Sequence, residues 1–170
     1  AYLYADLDEE IYVKPPPGVN IPAGYVYRLL KSLYGLKQAG RNWNRLLEDT
    51  LLSYGFIRLD EDHCLFILHT GTKVILLFIY VDDIYLAGSS KQILDDFVVF
   101  FKSKFKIKLL GVPQQLIGVR LTWGRNFESV HMSVSKHINA LLEKFAGQFK
   151  SRQVPAEPRL KLLKEDQLMD

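Results

Sequence analysis

Two adjacent carboxylates, Asp82 and Asp83, stand between two strongly apolar segments, residues 74–80 and 84–88. Two apolar strands around such a turn predict a β-hairpin with acids at its tip. Burying unpaired charges there is costly, and a divalent cation would offset that cost. Two Mg²⁺ ions about 3.5–4 Å apart can activate a 3′-hydroxyl and stabilise a leaving pyrophosphate. That chemistry needs further carboxylates from outside the turn, and the simpler alternative is a solvent-facing turn that happens to carry two acids.

The composition is that of an ordinary globular domain, with 48% apolar and 24% charged residues over 170 positions, which excludes wholesale disorder. The longest near-continuous apolar run is residues 74–81, far short of the ~20 residues that a membrane-spanning helix needs. No basic segment followed by an apolar stretch opens the sequence, so no secretory signal is expected. The single cysteine, Cys64, excludes an internal disulfide and a cysteine-rich zinc site, and it suits a reducing compartment.

The charge is nearly balanced, with 22 Lys+Arg against 19 Asp+Glu, which permits nucleic-acid binding without requiring it. The four histidines show no ligand spacing, so no histidine metal site is expected. Basic residues do cluster, and on charge alone a solvated face and an extended tail are the simpler interpretation. The clustered residues are Lys102, Lys104, Lys106 and Lys108 in one stretch, and Lys150, Arg152, Arg159, Lys161 and Lys164 near the C-terminus.

Hydrophobic periodicity predicts the elements that position the acidic turn. Residues 40–54 carry apolar side chains at every third or fourth position, which predicts a helix that Gly55 ends. Residues 74–80 are continuously apolar, which predicts a strand buried on both faces. Further short strands are expected at residues 9–13, 56–58 and 64–68, with another short apolar run at 25–30 and a turn at Gly71.

After the acidic turn the pattern predicts a helix, a second hairpin and a third helix. The order of elements predicts an α+β fold, in which helices pack against an antiparallel sheet. The expected boundaries are Ser90 and Ser135 as helix N-caps, residues 116–123 and 130–134 as strands around a turn near 124–126, Gly147 as the end of the last helix, and a linker or tail from Ser151.

The tetrapeptide Tyr80-Val81-Asp82-Asp83 resembles the signature of reverse transcriptases, in particular those of copia-type LTR retrotransposons. Residues 32–38, Ser-Leu-Tyr-Gly-Leu-Lys-Gln, resemble that family's template- and nucleotide-side motif, and Arg41 and Trp43 follow where the family has a similar Arg and Trp. The resemblance covers essentially all 170 residues in the family's order, so the motifs together are highly specific. The other matching segments are 1–18 for the stretch after the first catalytic carboxylate, 110–111 and 116–119 for the primer grip, 135–145 for the start of the thumb and 155–161 for the linker beyond it.

The resemblance implies a polymerase palm-like antiparallel sheet with packed helices over residues 1–134, the start of a thumb at 135–150 and a linker or tail at 151–170. The implied activity is RNA-directed DNA polymerase, by which a retrotransposon polyprotein segment extends a primer from dNTPs through two-metal phosphoryl transfer. The implied partners are an RNA or DNA template-primer, dNTPs and other polyprotein segments such as integrase and RNase H, with no membrane. The implied location is a cytoplasmic virus-like particle, with nuclear import of the complex.

By the same resemblance, Asp82 and Asp83 are catalytic residues and ligands of two Mg²⁺ ions, for which Mn²⁺ can substitute. Tyr2 falls where the family has an aromatic steric gate against a ribose 2′-hydroxyl, although it also suits a core aromatic beside Leu3. Gln38 matches a nucleotide-binding residue near the nascent base pair, and it also suits the polar start of a helix. The residues implied to contact template and primer are Tyr80, Val81, Arg41 and Gly118.

The sequence differs from the family pattern in one respect. The family's first catalytic Asp lies four residues before the position that Ala1 matches. The basic fingers residues that grip the triphosphate also lie upstream. Asp6 and Asp8 match a later, exposed loop and are not expected to replace the missing ligand. We therefore expect these 170 residues by themselves to be nearly inactive, and to bind nucleic acid weakly with strong salt dependence. The alternative is a relic or domesticated fragment that only binds nucleic acid or a protein partner.

Overall fold

The computed structural model of the protein describes residues 1–145. Contacts divide the chain into two units, Ala1–Pro113 and a second unit that begins at Gln114. Mixed helices and antiparallel sheets confirm the predicted α+β class. The assignment of palm, thumb and linker stays a prediction, and the expected helix end at Gly147 and the tail from Ser151 lie outside the described residues.

The main sheet of the first unit contains four antiparallel strands, each paired with the next in sequence. A separate sheet of two short strands precedes it, so the strand expected at residues 9–13 is present in a shorter form. The strands are β1 (Tyr12–Val13) and β2 (Tyr27–Arg28) in the small sheet, and β3 (Ile57–Arg58), β4 (Leu65–Thr70), β5 (Lys73–Tyr80) and β6 (Asp83–Gly88) in the main sheet. With this order, β6 lies at one edge of the main sheet.

The first helix, α1 (Ala39–Tyr54), forms because its apolar side chains share one stripe. Trp43, Leu47 and Leu51 recur at a spacing of four residues, and all three are buried. Gly55 follows in the left-handed conformation at φ 109°, and its N–H donates to the Leu51 carbonyl. The predicted helix and its glycine stop are confirmed.

The second helix, α2 (Lys91–Lys104), completes the core of the first unit. Ser90 occupies the N-cap position, as predicted, although its hydroxyl makes no capping hydrogen bond. Phe97 and Phe101 are buried in the same cluster as residues of α1 and of the main sheet, and Phe105 extends the stripe beyond the last helical residue. The core therefore lies between the two helices and one face of the sheet.

The strand β5 alternates between buried and exposed side chains, so the prediction that it is buried on both faces is wrong. Ile75, Leu77 and Ile79 are at most 5% exposed and belong to the core cluster, whereas Leu76 is 46% exposed. The helices pack on one face, and an antiparallel sheet can leave its other face in water. A continuous apolar run has no period that would reveal which face is covered.

The described part of the second unit is a three-stranded antiparallel sheet followed by a helix. Its elements are β7 (Gln115–Leu116), β8 (Val119–Trp123), β9 (Val130–Ser133) and α3 (Ser135–Lys144). The last two strands form the predicted hairpin, with a short 3-10 turn at Arg125–Phe127 between them.

The segment 116–123 is two strands rather than the one that was predicted. Leu116 pairs with Val119, and Ile117 and Gly118 form the turn between β7 and β8 with φ values of 46° and 80°. Positive φ at both positions fits a two-residue type I′ hairpin turn, which favours Asn-Gly. The prediction was wrong because the β-branched Ile117 is typical of a strand and not of such a turn.

The helix α3 begins one residue earlier than predicted, at Ser135 itself. Val134 occupies the N-cap position, so Ser135 is the first helical residue and the prediction that it caps the helix is wrong. The Ser135 hydroxyl lies 2.8 Å from that of Ser133 instead. Within residues 1–145, no helix has the length and apolar character that crossing a membrane requires.

The strained turn at Ile117 gives a first prediction. Replacing Ile117 with Asn should raise the free energy of unfolding of the second unit by about 1 kcal/mol, because Asn tolerates positive φ better than a β-branched residue. Ile117 is 49% exposed, so little apolar burial is lost. Urea unfolding followed by the NMR signals of β8 and β9 measures the change. Val130→Asn, at an exposed strand position of the same sheet, is the control that should not stabilise, and an unchanged or lower stability of Ile117→Asn would contradict the turn geometry.

Candidate active site at the acidic turn

The tip of the β5–β6 hairpin carries the two predicted carboxylates. Tyr80 pairs with Asp83 across the hairpin, and Val81 and Asp82 form the connection between the strands. The predicted position of Asp82 and Asp83 at a hairpin tip is confirmed. Both residues are exposed, however, so the expected cost of burying them does not arise. Val81 adopts φ 55°, an unfavourable conformation for a β-branched residue.

A hydrogen bond from the core holds the backbone of this turn. The indole Nε1 of Trp43 donates to the Val81 carbonyl at 3.0 Å. Trp43 is 7% exposed, and its ring meets those of Tyr4 and Phe105 in an aromatic cluster. A buried indole needs a partner for its N–H, and here the turn supplies it. The packing of α1 therefore sets where the turn lies.

A second hydrogen bond holds a carboxylate of the turn. The Tyr34 hydroxyl donates to Oδ2 of Asp82, and the Tyr34 ring stacks on Tyr2 with centroids 4.3 Å apart. Ionising Tyr34 would break this bond and place a phenolate beside a carboxylate. The hydrogen bond to Asp82, followed by partial desolvation and the charge of Asp82, raises the pKa of Tyr34 to about 12. Tyr34 is therefore a neutral donor at physiological pH.

The two segments that carry Tyr2 and Tyr34 are tied together by buried polar groups. The Asp6 carbonyl accepts hydrogen bonds from the Ser32 hydroxyl at 3.2 Å and from the Asn42 amide at 3.0 Å. Ser32 and Asn42 are both buried, and the Ser32 N–H adds a 2.9 Å bond to the carbonyl of the residue before Asp6. Because Asn42 lies on α1, these bonds fix the start of the chain against that helix.

The remaining predicted site residues have separate surroundings. Gln38 lies at the N-cap of α1, where its amide donates to a Glu9 carboxylate oxygen at 2.9 Å. Arg41 is exposed in the first turn of the same helix, whereas Gly118 lies in the second unit at the β7–β8 turn. The short 3-10 helix Tyr2–Tyr4 holds Tyr2 half-buried. The structure thus brings Tyr2 to the acidic turn, and the roles given to these residues stay predictions.

The donor set of the turn suits a hard divalent cation, because Asp82 and Asp83 offer carboxylate oxygens where water and phosphates can reach. Among residues 1–145, no three His, Cys, Asp or Glu side chains are grouped closely enough to hold an ion. Asp6 forms an ion pair with Lys31 at 2.5 Å. The described residues fit a magnesium ion that keeps most of its waters, with its other ligands supplied by phosphates or by a further carboxylate.

Sequence reasoning missed the roles of Tyr34 and Trp43 in holding the turn. Both residues were recognised only as members of a motif, and Trp43 also as part of an apolar helix stripe. The available signal was chemical, since each side chain combines an apolar ring with one polar atom that seeks a hydrogen-bond partner. That signal shows that a partner exists without showing which one.

Comparison with known proteins decides the family. A family profile described as Reverse transcriptase (RNA-dependent DNA polymerase) matches residues 1–157. The chain belongs to the reverse transcriptase family. The predicted resemblance to copia-type retrotransposon proteins is confirmed by the relatives that this reverse transcriptase chain matches.

Three relatives illustrate the match. The chain is 32% identical over 148 residues to the retrovirus-related Pol polyprotein from transposon TNT 1-94 of Nicotiana tabacum, which covers 85% of this chain and 11% of that protein. It is 37% identical over 144 residues to the Pol polyprotein from transposon RE2 of Arabidopsis thaliana. This match covers 84% of the present chain and 10% of the RE2 polyprotein. The chain is 34% identical over 158 residues to the putative transposon Ty5-1 protein of Saccharomyces cerevisiae. This match covers 91% of the present chain and 51% of the Ty5-1 protein.

This reverse transcriptase chain therefore spans about half of the Ty5-1 relative, at 51%, and about a tenth of the two plant polyproteins, at 10–11%. No solved structure gives a significant match to it.

The Trp43 contact gives a second prediction. Trp43→Phe removes the hydrogen bond to Val81 and part of a buried ring, so the free energy of unfolding of the first unit should fall by about 2 kcal/mol. The NMR amide signals of Asp82 and Asp83 should shift as well, because the turn loses its tether. Phe105→Leu is the matched control: it removes volume from the same aromatic cluster but no bond to the turn. Equal shifts at the turn in both variants would contradict the tethering role.

The Tyr34 contact gives a third prediction. Tyr34 should ionise near pH 12 in the folded chain, because its hydroxyl donates to Asp82. In Asp82→Asn the pKa of Tyr34 should fall towards the ordinary tyrosine value of about 10, since the neighbouring negative charge is gone. NMR titration of labelled tyrosine rings, with Tyr34 assigned by Tyr34→Phe, measures the change. Asp60→Asn, at an exposed acid outside the turn, should leave the titration unaltered, and a Tyr34 that titrates near pH 10 in the unsubstituted chain would refute the contact.

Proposed function

We propose that this chain is the palm segment of an RNA-directed DNA polymerase within a retrotransposon polyprotein. The observation that carries the proposal is the acidic turn, where two exposed carboxylates stand at a hairpin tip braced by Trp43 and Tyr34. Membership of the reverse transcriptase family supports the same activity. The proposed substrates are dNTPs and a primer annealed to an RNA or DNA template.

Catalysis of this kind depends on positioning and on stabilising negative charge rather than on covalent chemistry by the protein. Magnesium, or manganese in its place, would supply the positive charge that favours attack by the primer hydroxyl and departure of pyrophosphate. Asp82 and Asp83 would be the ligands that these residues supply to the cation. Trp43 and Tyr34 keep the turn and its carboxylate in place while substrates exchange.

The nucleotide side of the proposed site includes Tyr2 and Gln38. The stacking of Tyr2 on Tyr34, which in turn bonds Asp82, supports a position for Tyr2 under the nucleotide sugar. Gln38 would exchange its bond to Glu9 for one near the nascent base pair. The residues proposed to contact template and primer are Tyr80, Val81, Arg41 and Gly118.

Two adjacent carboxylates cannot by themselves surround two metal ions, which require ligands from several directions. By family resemblance, the third carboxylate and the basic grip on the triphosphate come from residues upstream of Ala1. We therefore infer that the activity belongs to a longer chain, and that residues 1–170 on their own extend primers poorly. The longer chain would carry integrase and RNase H segments and act in a cytoplasmic virus-like particle whose contents enter the nucleus.

Primer extension on poly(rA)/oligo(dT) tests the proposal and gives a fourth prediction. The 170-residue chain should be nearly inactive, whereas the chain extended upstream through an in-frame Asp should be active with Mg²⁺. Asp82→Asn in the extended chain should lower the rate by several orders of magnitude, because the metal clamp loses a ligand.

Asp60→Asn is the control for this experiment, since it removes one exposed carboxylate of the first unit outside the turn. Its rate should match that of the unsubstituted extended chain. An inactive extended chain that still binds nucleic acid would favour a relic that only binds. Strong extension by the 170-residue chain would show that another carboxylate, such as Asp6 or Asp8, serves as the third ligand.

A further inference from the structure

The contact between Tyr34 and Asp82 joins two segments that lie 48 residues apart. Tyr34 is 53% exposed, so burial does not force its hydroxyl to find a protein partner. An exposed hydroxyl without a structural role would hydrogen-bond to water. It bonds instead to one oxygen of the first carboxylate of the acidic turn, which is the group that the proposed chemistry requires.

The Tyr34 side chain is itself held in place. Its ring stacks on Tyr2 at 4.3 Å between centroids, with 36° between the ring planes. The turn that carries it is closed by a 3.2 Å bond from the Leu36 N–H to the Leu33 carbonyl, with Gly35 in the left-handed conformation at φ 100°. The backbone turn and the ring contact with Tyr2 therefore hold the phenol independently of its bond to Asp82.

The Asp82 side chain has no such support of its own. It lies exposed between two strands, where a carboxylate can rotate among several rotamers, and ordering it upon binding costs entropy. A hydrogen bond to an ionised acceptor is among the stronger ones, and it fixes one oxygen of the pair. The other oxygen, Oδ1, then has a defined direction.

We propose that Tyr34 is a positioning residue for Asp82: its hydroxyl orients the carboxylate so that Oδ1 is presented to the divalent cation. The inference rests on the proposed function, because it assigns a partner to a proposed metal ligand. Groups that hold metal ligands from behind commonly change metal affinity by 10–100-fold when they are removed. Tyr2 supports this arrangement by stacking on the phenol ring.

Two NMR measurements on the 170-residue chain test the proposal. The first, without metal, determines the rotamer populations of Asp82 from three-bond couplings. The second titrates Mn²⁺ and follows paramagnetic broadening of the signals of Asp82 and Asp83. Tyr34→Phe removes the hydroxyl but keeps the ring that stacks on Tyr2. The matched control is Tyr25→Phe, before β2, which removes the hydroxyl of an exposed tyrosine that forms no side-chain hydrogen bond within residues 1–145.

The expected result is one dominant Asp82 rotamer in the unsubstituted chain and in Tyr25→Phe, and an averaged side chain in Tyr34→Phe. Mn²⁺ should bind at the turn about tenfold more weakly in Tyr34→Phe, with no change in Tyr25→Phe. Asp82→Asn should remove the broadening at the turn, which identifies the site that Mn²⁺ occupies.

Unchanged rotamers and unchanged Mn²⁺ affinity in Tyr34→Phe would overturn the positioning role while leaving the metal site standing. Equal losses in Tyr34→Phe and Tyr25→Phe would overturn it too, because the effect would then not depend on the bond to Asp82. If Mn²⁺ fails to broaden the NMR signals of the turn in the unsubstituted chain, the proposed metal site is wrong, and so is the inference that Tyr34 presents Asp82 to a cation. The rotamer measurement separates that failure from a failure of the contact itself.

Discussion

The hydrogen bond from the Trp43 indole to the Val81 carbonyl links the hydrophobic core to the acidic turn. It satisfies a buried donor that would otherwise cost about 1–3 kcal/mol, so the core and the turn stabilise each other. The same indole packs against Phe105, which continues the apolar stripe of α2. Both helices of the first unit therefore contribute to the position of a turn that neither of them contains.

Much of the fold followed from local patterns. Helix α1 was predictable because Trp43, Leu47 and Leu51 share a stripe that ends at a glycine, and the acidic hairpin because two carboxylates interrupt apolar strands. The exposed face of β5 was not predictable, since Leu76 and Leu77 are chemically alike and only the packed helices distinguish their faces. The turn at Ile117 was hidden because tertiary pairing of Leu116 with Val119 overrides the strand preference of a β-branched residue.

The two acids of the candidate site were predictable from the sequence, whereas the residues that hold them in place were not. Adjacent Asp82 and Asp83 are visible in the sequence, whereas the partner of Asp82 depends on the path of the loop before α1. That path is set by buried bonds from Ser32 and Asn42 to the Asp6 carbonyl, which involve backbone atoms that no residue pattern reveals. The ion pair of Asp6 with Lys31 was equally hidden, and it assigns that acid a structural partner.

The position of β6 at the edge of the main sheet makes the two neighbouring acids unequal. Asp83 begins this strand, which hydrogen-bonds to β5 on one side only, so local opening of a single ladder is enough to release it. Asp82 has in addition a side-chain bond to Tyr34, which lies outside that ladder. Although adjacent in sequence, the two carboxylates are thus held by different contacts: Asp83 by the pairing of one strand, and Asp82 by a hydroxyl from a segment 48 residues away.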